Sequence, residues 1–233
     1  MLSAAAALTL LGAVRVPRIR RPRSNRLWGI DLAVIATFCG WAVIGPLAVD
    51  DGWATTIART IAATGDPGNY YRWWNAAEVP FALSEELLAP LTRISLAPLW
   101  LRVPSTLLAI ATWFVLSRGV LGAALPRHTG RVRLLAALCL LVTWLPFNLG
   151  TRPESFVALG VTAALALAWR TRGPAGLGLL ALVVALTVPI SPTGVLVAAP
   201  ILVFADRLRA GALLAGTLLQ VVAGGLRGGG GGR

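Results

Sequence analysis

Lysine is absent from this sequence, histidine occurs once, cysteine twice, and only nine of the 233 residues are acidic. Each scarcity removes a class of chemistry. His128 stands in a loop with no cysteine or carboxylate near it, so a histidine-based metal site or a Ser/His/Asp triad has almost nothing to be built from. Cys39 and Cys139 both fall inside apolar runs, where they read as small packing residues and not as a disulfide framework. Charged residues supply 13% of the chain and hydrophobic ones 57%, with a mean hydropathy of +0.76, which lies outside the range of soluble domains. Such a chain belongs in a bilayer. All 21 basic residues are arginine and the formal net charge is +12. The arginines fall between apolar runs, as the positive-inside rule distributes them, and nothing resembles a basic, aromatic-bearing module for nucleic acid.

Apolar runs cover about 2–14, 28–49, 98–117, 134–148, 155–169, 175–190, 193–205 and 210–224, separated by short charged or Pro/Gly-bearing breaks. This pattern implies an all-α, polytopic transmembrane bundle of seven to eight membrane helices. Several runs are shorter than the ~20 residues of a perpendicular span, so some must borrow flanking residues, be broken or be re-entrant. Run 2–14 reads as the tail of a membrane helix, with a signal peptide as the alternative. Residues 1–27 thus form a helix end plus a basic loop, 28–224 a membrane core, and 225–233 a low-complexity, disordered Gly-rich tail.

Orientation follows from the arginines. Arg15, Arg18, Arg20, Arg21, Arg23 and Arg26 form one basic loop; Arg118, Arg127, Arg131 and Arg133 a second; Arg170 and Arg172 a third; Arg207 and Arg209 a fourth. If the runs alternate sides, all four loops share one face, which is then cytoplasmic. The opposite face receives Asp50, Asp51, Asp66, Glu78, Glu85, Glu86 and Glu154, leaving Asp31 and Asp206 near the cytoplasmic ends. The long polar stretch 50–97 lies on that outer face. Within it, Trp53, Ile57, Ile61 and intervening alanines suit a short amphipathic helix on the membrane surface, stopped by "TGDPGN". The cluster Tyr70, Tyr71, Trp73 and Trp74 around Arg72 reads first as an interfacial aromatic belt.

The stretch "VDDGW" raises the chemical question. Read as the end of run 28–49, it places two carboxylates at a helix C-terminus, where the dipole is negative and the like charges repel. A boundary carboxylate flanked by low-dielectric walls and a second acid has its pKa raised toward the range of a general base, one able to deprotonate a sugar hydroxyl. Trp and Tyr offer stacking faces, and Arg72 or Arg152 can bind a phosphate leaving group. Arg152 and Glu154 also read as a helix-end ion pair, Ser191 to Gly194 as a turn, and Glu85 and Glu86 as a solvated face.

The ordered series "DDGW", "NYYRWWNAAEVPF", "LWLRVPS", "VLSRGVL", "WLPFNLGTRPES" and "ISPTG" resembles the mycobacterial and corynebacterial cell-wall arabinosyltransferases, the Emb family of GT-C glycosyltransferases that ethambutol inhibits. The resemblance runs from about Arg15 to Ala210. It implies an inverting transfer of arabinofuranose from decaprenyl-phosphoryl-arabinose onto arabinan, at the outer face of the plasma membrane. By position, the catalytic base falls on Asp50. Substrate-binding roles fall on Asp51, Trp53, Asn69, Tyr70, Arg72, Trp73, Glu78, Arg152 and Glu154. Trp53 stands where the family usually has Tyr, and Val79 where members often have a second acid, which bears on acceptor details. The resemblance also implies a longer parent chain, of which this stretch is a part of the membrane core. No cofactor is expected in that core, since the family's calcium site lies in a separate carbohydrate-binding module. Expected partners are the polyprenyl-linked donor, an arabinan or galactan acceptor, membrane lipid and, as a homo- or hetero-dimer, a related arabinosyltransferase, with no nucleic acid. Two other readings stand beside it: a GT-C transferase using another polyprenyl-linked sugar such as mannose, and a transporter or non-catalytic membrane subunit.

Overall fold

The computed structural model describes residues 29–46, 48–67, 81–125, 129–148, 150–171, 173–206 and 208, all in helices and their connections, with no strand among them. In chain order the helices are α1 (Gly29–Ile44), α2 (Val49–Thr64), α3 (Leu83–Thr92), α4 (Pro98–Phe114), α5 (Thr129–Trp144), α6 (Glu154–Arg170), α7 (Pro174–Thr187) and α8 (Ala198–Val203). A π-helical segment, Val115–Leu121, prolongs α4, and short 3-10 turns follow α5 and α7. Pro98 opens α4 and Pro174 opens α7, where the missing N–H is no loss and the fixed φ suits the first turn.

Two helices are long and apolar enough to cross a membrane by themselves, Pro98–Leu121 and Gly130–Phe147. At 1.5 Å per residue the second measures about 27 Å, near the thickness of a hydrocarbon core. The bent pair α1 and α2 makes a third candidate, its halves inclined at 83°. The seven to eight spans expected from the runs therefore reduce to two or three among the described residues, because proline and glycine cut the other runs into helices of 17 residues or fewer. Runs 2–14 and 210–224, like the tail 225–233, lie outside the described residues.

Side-chain exposure carries the membrane signature. Leu134, Leu135, Leu138 and Val142 of α5 and Val43 and Ile44 of α1 are all exposed. Water would not tolerate so continuous an apolar surface, whereas acyl chains wet it. The interior is packed from small and aromatic groups. Val34 and Phe38 of α1 meet Ala109 and Trp113 of α4 and Ala137 of α5, while Ala164 and Ala168 of α6 meet Leu180 of α7 and Val197. Alanine and glycine at these contacts let the helix axes approach, the usual route to association where no hydrophobic drive exists. Gly160 lies so close to Thr187 that a Cβ there would strike its side chain.

The bundle has two polar ends. At one, Asp31 is fully buried and accepts from Trp113 Nε1 at 2.8 Å, Arg118 at 2.8 Å and Arg133 at 2.6 Å. One carboxylate thus joins α1, the π segment after α4, and α5. Arg170, at the last turn of α6, donates to the Arg118 carbonyl at 2.8 Å and ties in a fourth element. Asp31, placed near a helix end by the sequence, is in fact the hub of its arginine cluster.

Removing that hub leaves two guanidinium groups facing each other in a low dielectric, a defect of about 3–5 kcal/mol for a broken buried pair. Asp31→Ala is expected to lower the melting temperature of the detergent-solubilised protein by several degrees. Thermal unfolding followed by circular dichroism checks this, and an unchanged midpoint contradicts it.

Candidate active site

The acid pair does not end a helix; it begins one. Run 28–49 is interrupted after Ile44, where Gly45 closes the last turn on the Trp41 carbonyl at 2.7 Å and Pro46 follows. Proline has no N–H, so the Ala42 carbonyl loses the donor that would continue the helix. The chain restarts from Ala48, in extended conformation at φ −105°, and Asp50 and Asp51 fall in the first turn of α2. There the dipole is positive and carboxylates are favoured. The apparent conflict in "VDDGW" came from assigning the pair to the wrong helix.

Arg102 fills the gap that Pro46 opens. It is 4% exposed and donates to the Ala42 carbonyl at 2.9 Å and the Pro46 carbonyl at 2.8 Å. Each carbonyl left without a donor in so dry a place would cost about 1–3 kcal/mol. One planar guanidinium with divergent N–H groups satisfies both, and its charge suits the negative end of α1.

α2 runs to Gly65, whose φ of 78° gives the left-handed turn that ends it, with the amide of Gly65 on the Ile61 carbonyl. This is the stop anticipated at "TGDPGN". Ala54, Ile57 and Ala58 form its buried face, packed on α3, and Arg93 after α3 donates to the Ala62 carbonyl near the α2 terminus. Of the two acids expected to be solvated on α3, Glu86 is exposed, but Glu85 is buried and accepts from Ser84 Oγ at 2.7 Å. The same hydroxyl reaches the Ile190 carbonyl at 3.1 Å, so packing against the α7 end carries Glu85 out of solvent.

The turn before α6 completes the site. Thr151 Oγ1 donates to the Asp51 carbonyl at 3.0 Å and lies 3.1 Å from Thr55 Oγ1, stapling the first turn of α2 to residues about a hundred positions away. The Asp51 carboxylate lies against Gly150, where a Cβ would come within 2.9 Å of its Cγ. Only glycine admits that approach without displacing the acid. Arg152 is 3.7 Å from Asp50 and 2.7 Å from Glu154, with its guanidinium 5.4 Å above the Phe147 ring. Glu154 sits in the first turn of α6, so two helix N-termini, three carboxylates and one arginine converge at this end of the bundle.

The two aspartates differ in environment. The Asp50 side chain is 53% exposed. Asp51 is turned inward and both of its carboxylate oxygens are buried. Burial pushes its carboxyl above the ordinary range, opposed by the Ala48 backbone, by Arg152, by Thr151 and by Arg102. Burial works against the charge of Arg152, but the hydrogen bond to Glu154 and the charges of Glu154, Asp50 and Asp51 outweigh it and hold the guanidinium protonated.

Of the residues singled out in the sequence, Asp50, Asp51, Arg152 and Glu154 are brought together, and Trp53 is half-buried one turn along α2. Asn69, Tyr70, Arg72, Trp73 and Glu78 lie outside the described residues. The sequence reading missed Arg102, Thr151 and Gly150. A lone arginine in apolar run 98–117 was the available signal for Arg102, since a charge within a span needs a partner.

Fold and site define a class: an all-helical membrane protein with an acid and arginine cluster at one head of its bundle. The comparisons then identify its relatives. The profile of the family described as "Mycobacterial cell wall arabinan synthesis protein" matches residues 1–215, and the chain belongs to this family, as the resemblance in its motifs implied. It is 39% identical over 196 residues to probable arabinosyltransferase A of Mycobacterium tuberculosis, covering 80% of this chain and 18% of that protein. It is 38% identical over 200 residues to probable arabinosyltransferase B of Mycobacterium leprae, covering 84% and 18%. The cryo-EM structure of arabinosyltransferase EmbB from Mycobacterium smegmatis superposes with a TM-score of 0.75 at 32% identity, over 87% of this chain and 20% of that one. The chain therefore spans about a fifth of the length of these relatives.

The displaced pKa of Asp51 sets a pH signature. Its folded-state value is raised, so the fold favours the neutral acid. That contribution is complete below the unfolded value near ~3.9 and is lost as pH rises through the folded value. Asp51→Asn, which keeps the shape without the charge, should match or exceed the parent's melting temperature at pH 7, with the advantage vanishing near pH 4. Melts across that range check the sign. A parent that gains on the variant as pH rises contradicts it.

Proposed function

We propose that this chain carries part of the catalytic membrane core of an arabinofuranosyltransferase, which moves arabinose from decaprenyl-phosphoryl-arabinose onto cell-wall arabinan with inversion. Asp50 takes the proton of the acceptor hydroxyl as its oxygen bonds to the anomeric carbon; the bond from that carbon to the phosphate oxygen breaks, and polyprenyl phosphate leaves with the electron pair. The observation that carries the reading is the juxtaposition of Asp50 and Arg152, 3.7 Å apart at the meeting of two helix N-termini. An accessible carboxylate suits the base. An arginine held protonated between acids suits the phosphate of the leaving group, by charge-assisted bonds that strengthen as charge develops.

Asp51, Trp53, Asn69, Tyr70, Arg72, Trp73, Glu78 and Glu154 are assigned to substrate binding in this reading. The acid-bearing head faces the extracytoplasmic side of the plasma membrane, and the Asp31 end, with its arginines, faces the cytoplasm. In this reading the chain contributes seven to eight membrane helices and forms a homodimer or a heterodimer with a related arabinosyltransferase. The two-ended polarity of the bundle supports this arrangement, since Arg118, Arg133 and Arg170 gather at one end and Asp50, Asp51 and Glu154 at the other.

Membranes carrying the protein, fed radiolabelled decaprenyl-phosphoryl-arabinose or decaprenyl-phosphoryl-mannose with an arabinan acceptor, test the reading. Arabinose incorporation is expected, and Asp50→Asn should lower it by about 10²–10⁴-fold, the range of general-base catalysis. Incorporation from the mannosyl donor alone defeats the assignment of substrate. Undiminished transfer by the variant defeats the assignment of the base.

A further inference from the structure

Arg102 lies on a different helix from every acid of the site, yet it donates two hydrogen bonds at the one place where the acid-bearing helix changes direction. Its partners are related by the arithmetic of the α-helix. The Ala42 carbonyl would be served by the amide of residue 46, which is proline and has none, and the Pro46 carbonyl by the amide of residue 50, the first aspartate. Arg102 donates to both carbonyls at 2.9 and 2.8 Å. It thus occupies, with one rigid fork, the two donor positions that a straight helix through the break would have filled. That geometry holds the 83° turn between α1 and α2 open at a fixed angle. Without it the polar carbonyls must find donors by shifting the chain just before Asp50.

The second observation is independent. The restart of α2 is fixed from the far side by Thr151, on the Asp51 carbonyl, and by the contact of the acid with Gly150. The first turn of α2 is therefore clamped between a spanning helix and the turn before α6. Among the described residues Arg102 is the element of the clamp drawn from within the apolar run 98–117, and it is 4% exposed.

From these we infer that Arg102 is a positioning residue for the acid pair: by replacing the backbone donors missing at the Pro46 break, it sets where Asp50 stands relative to Arg152. It acts through the backbone at Ala42 and Pro46 and so on the start of α2, not through substrate. The effect on turnover rests on the transferase reading given above; the effect on the break does not.

The test uses the full chain in detergent or native membranes, with Arg102→Met, which keeps the packing length and removes the donors, and Arg102→Lys, which keeps the charge and loses the fork. Amide hydrogen exchange reads the break directly at Gly45 and Asp51, whose amides bond Trp41 and Ala48. Donor kinetics read the consequence. In Arg102→Met these amides should exchange at least about tenfold faster while α6 keeps its protection, and kcat should fall about tenfold or more with donor KM within about twofold. Arg102→Lys should fall between variant and parent on both readouts, and it carries the test if the methionine variant does not fold. Unchanged exchange overturns the inference, including where kcat falls, because the arginine would then be acting on substrate directly. Faster exchange with unchanged kcat overturns it too. If the parent protein transfers no arabinose, the transferase reading fails by itself and the exchange measurement alone decides the role of Arg102.

Discussion

A proline inside an apolar helical run is the constraint on which the rest of this molecule depends. Pro46 cannot donate to the Ala42 carbonyl, and in a setting with little water that loss has to be met from elsewhere in the protein. Arg102 meets it from α4. The consequence is a corner in place of a continued span, and the corner carries Asp50 and Asp51 into the first turn of a new helix. Everything at the acidic head follows from this: the dipole that favours the pair, the approach to Gly150 and Thr151, and the reach of Asp50 to Arg152.

The same economy recurs through the bundle. With no lysine in the chain, arginine serves helix carbonyls at several places among the described residues: Arg102 on α1, Arg93 on α2, and Arg170 on the segment following α4. A guanidinium stays charged in any surrounding and offers several donors in a fixed plane, which suits it to carbonyls at buried helix ends. At the opposite end from the acid pair, Asp31 gathers two more arginines and an indole N–H. Between the two polar heads the packing is mostly alanine, valine, leucine and aromatic, and leucine and valine dominate the exposed large side chains. The ion pairs of Asp31 and of Asp50 and Glu154 lie at the two ends, where a helical membrane protein can accommodate charge, while hydroxyls such as those of Ser105, Thr106 and Thr112 are buried along α4.

Much of this was legible in the residues. The apolar runs marked most of the described helices, "TGDPGN" located the end of α2, and the sorting of arginines from acids along the chain anticipated the two heads. The ordered motifs carried the family, which the 1–215 match bears out. The failures share one cause: they concern contacts between positions distant in sequence. Treating 28–49 as one helix set the acids at its wrong end, because the weight of Pro46 was not felt against so apolar a background. Glu85 read as solvated because nothing local announces the packing of Ser84 on Ile190. The joining of Asp31 to Arg118 and Arg133, and of Arg102 to Ala42, spans 60 to 102 residues, and no periodicity records such pairings. Hydropathy counts runs but not the prolines and glycines that shorten them, so two or three spans stand among the described residues where the runs, two of them outside those residues, pointed to seven or eight.

The central claim is that the break at Pro46 seats the start of α2 on the turn before α6. Disulfide trapping tests it most directly. With Cys39→Ser and Cys139→Ser to remove the native thiols, Asp51→Cys and Gly150→Cys would place a sulfur where the Asp51 Cγ now stands, 2.9 Å from the Cβ at position 150, close to the separation within a disulfide. Mild oxidation of intact membranes should cross-link the pair rapidly and reversibly. If both thiols label in denaturant yet no cross-link forms in the folded protein, α2 does not begin where this account places it.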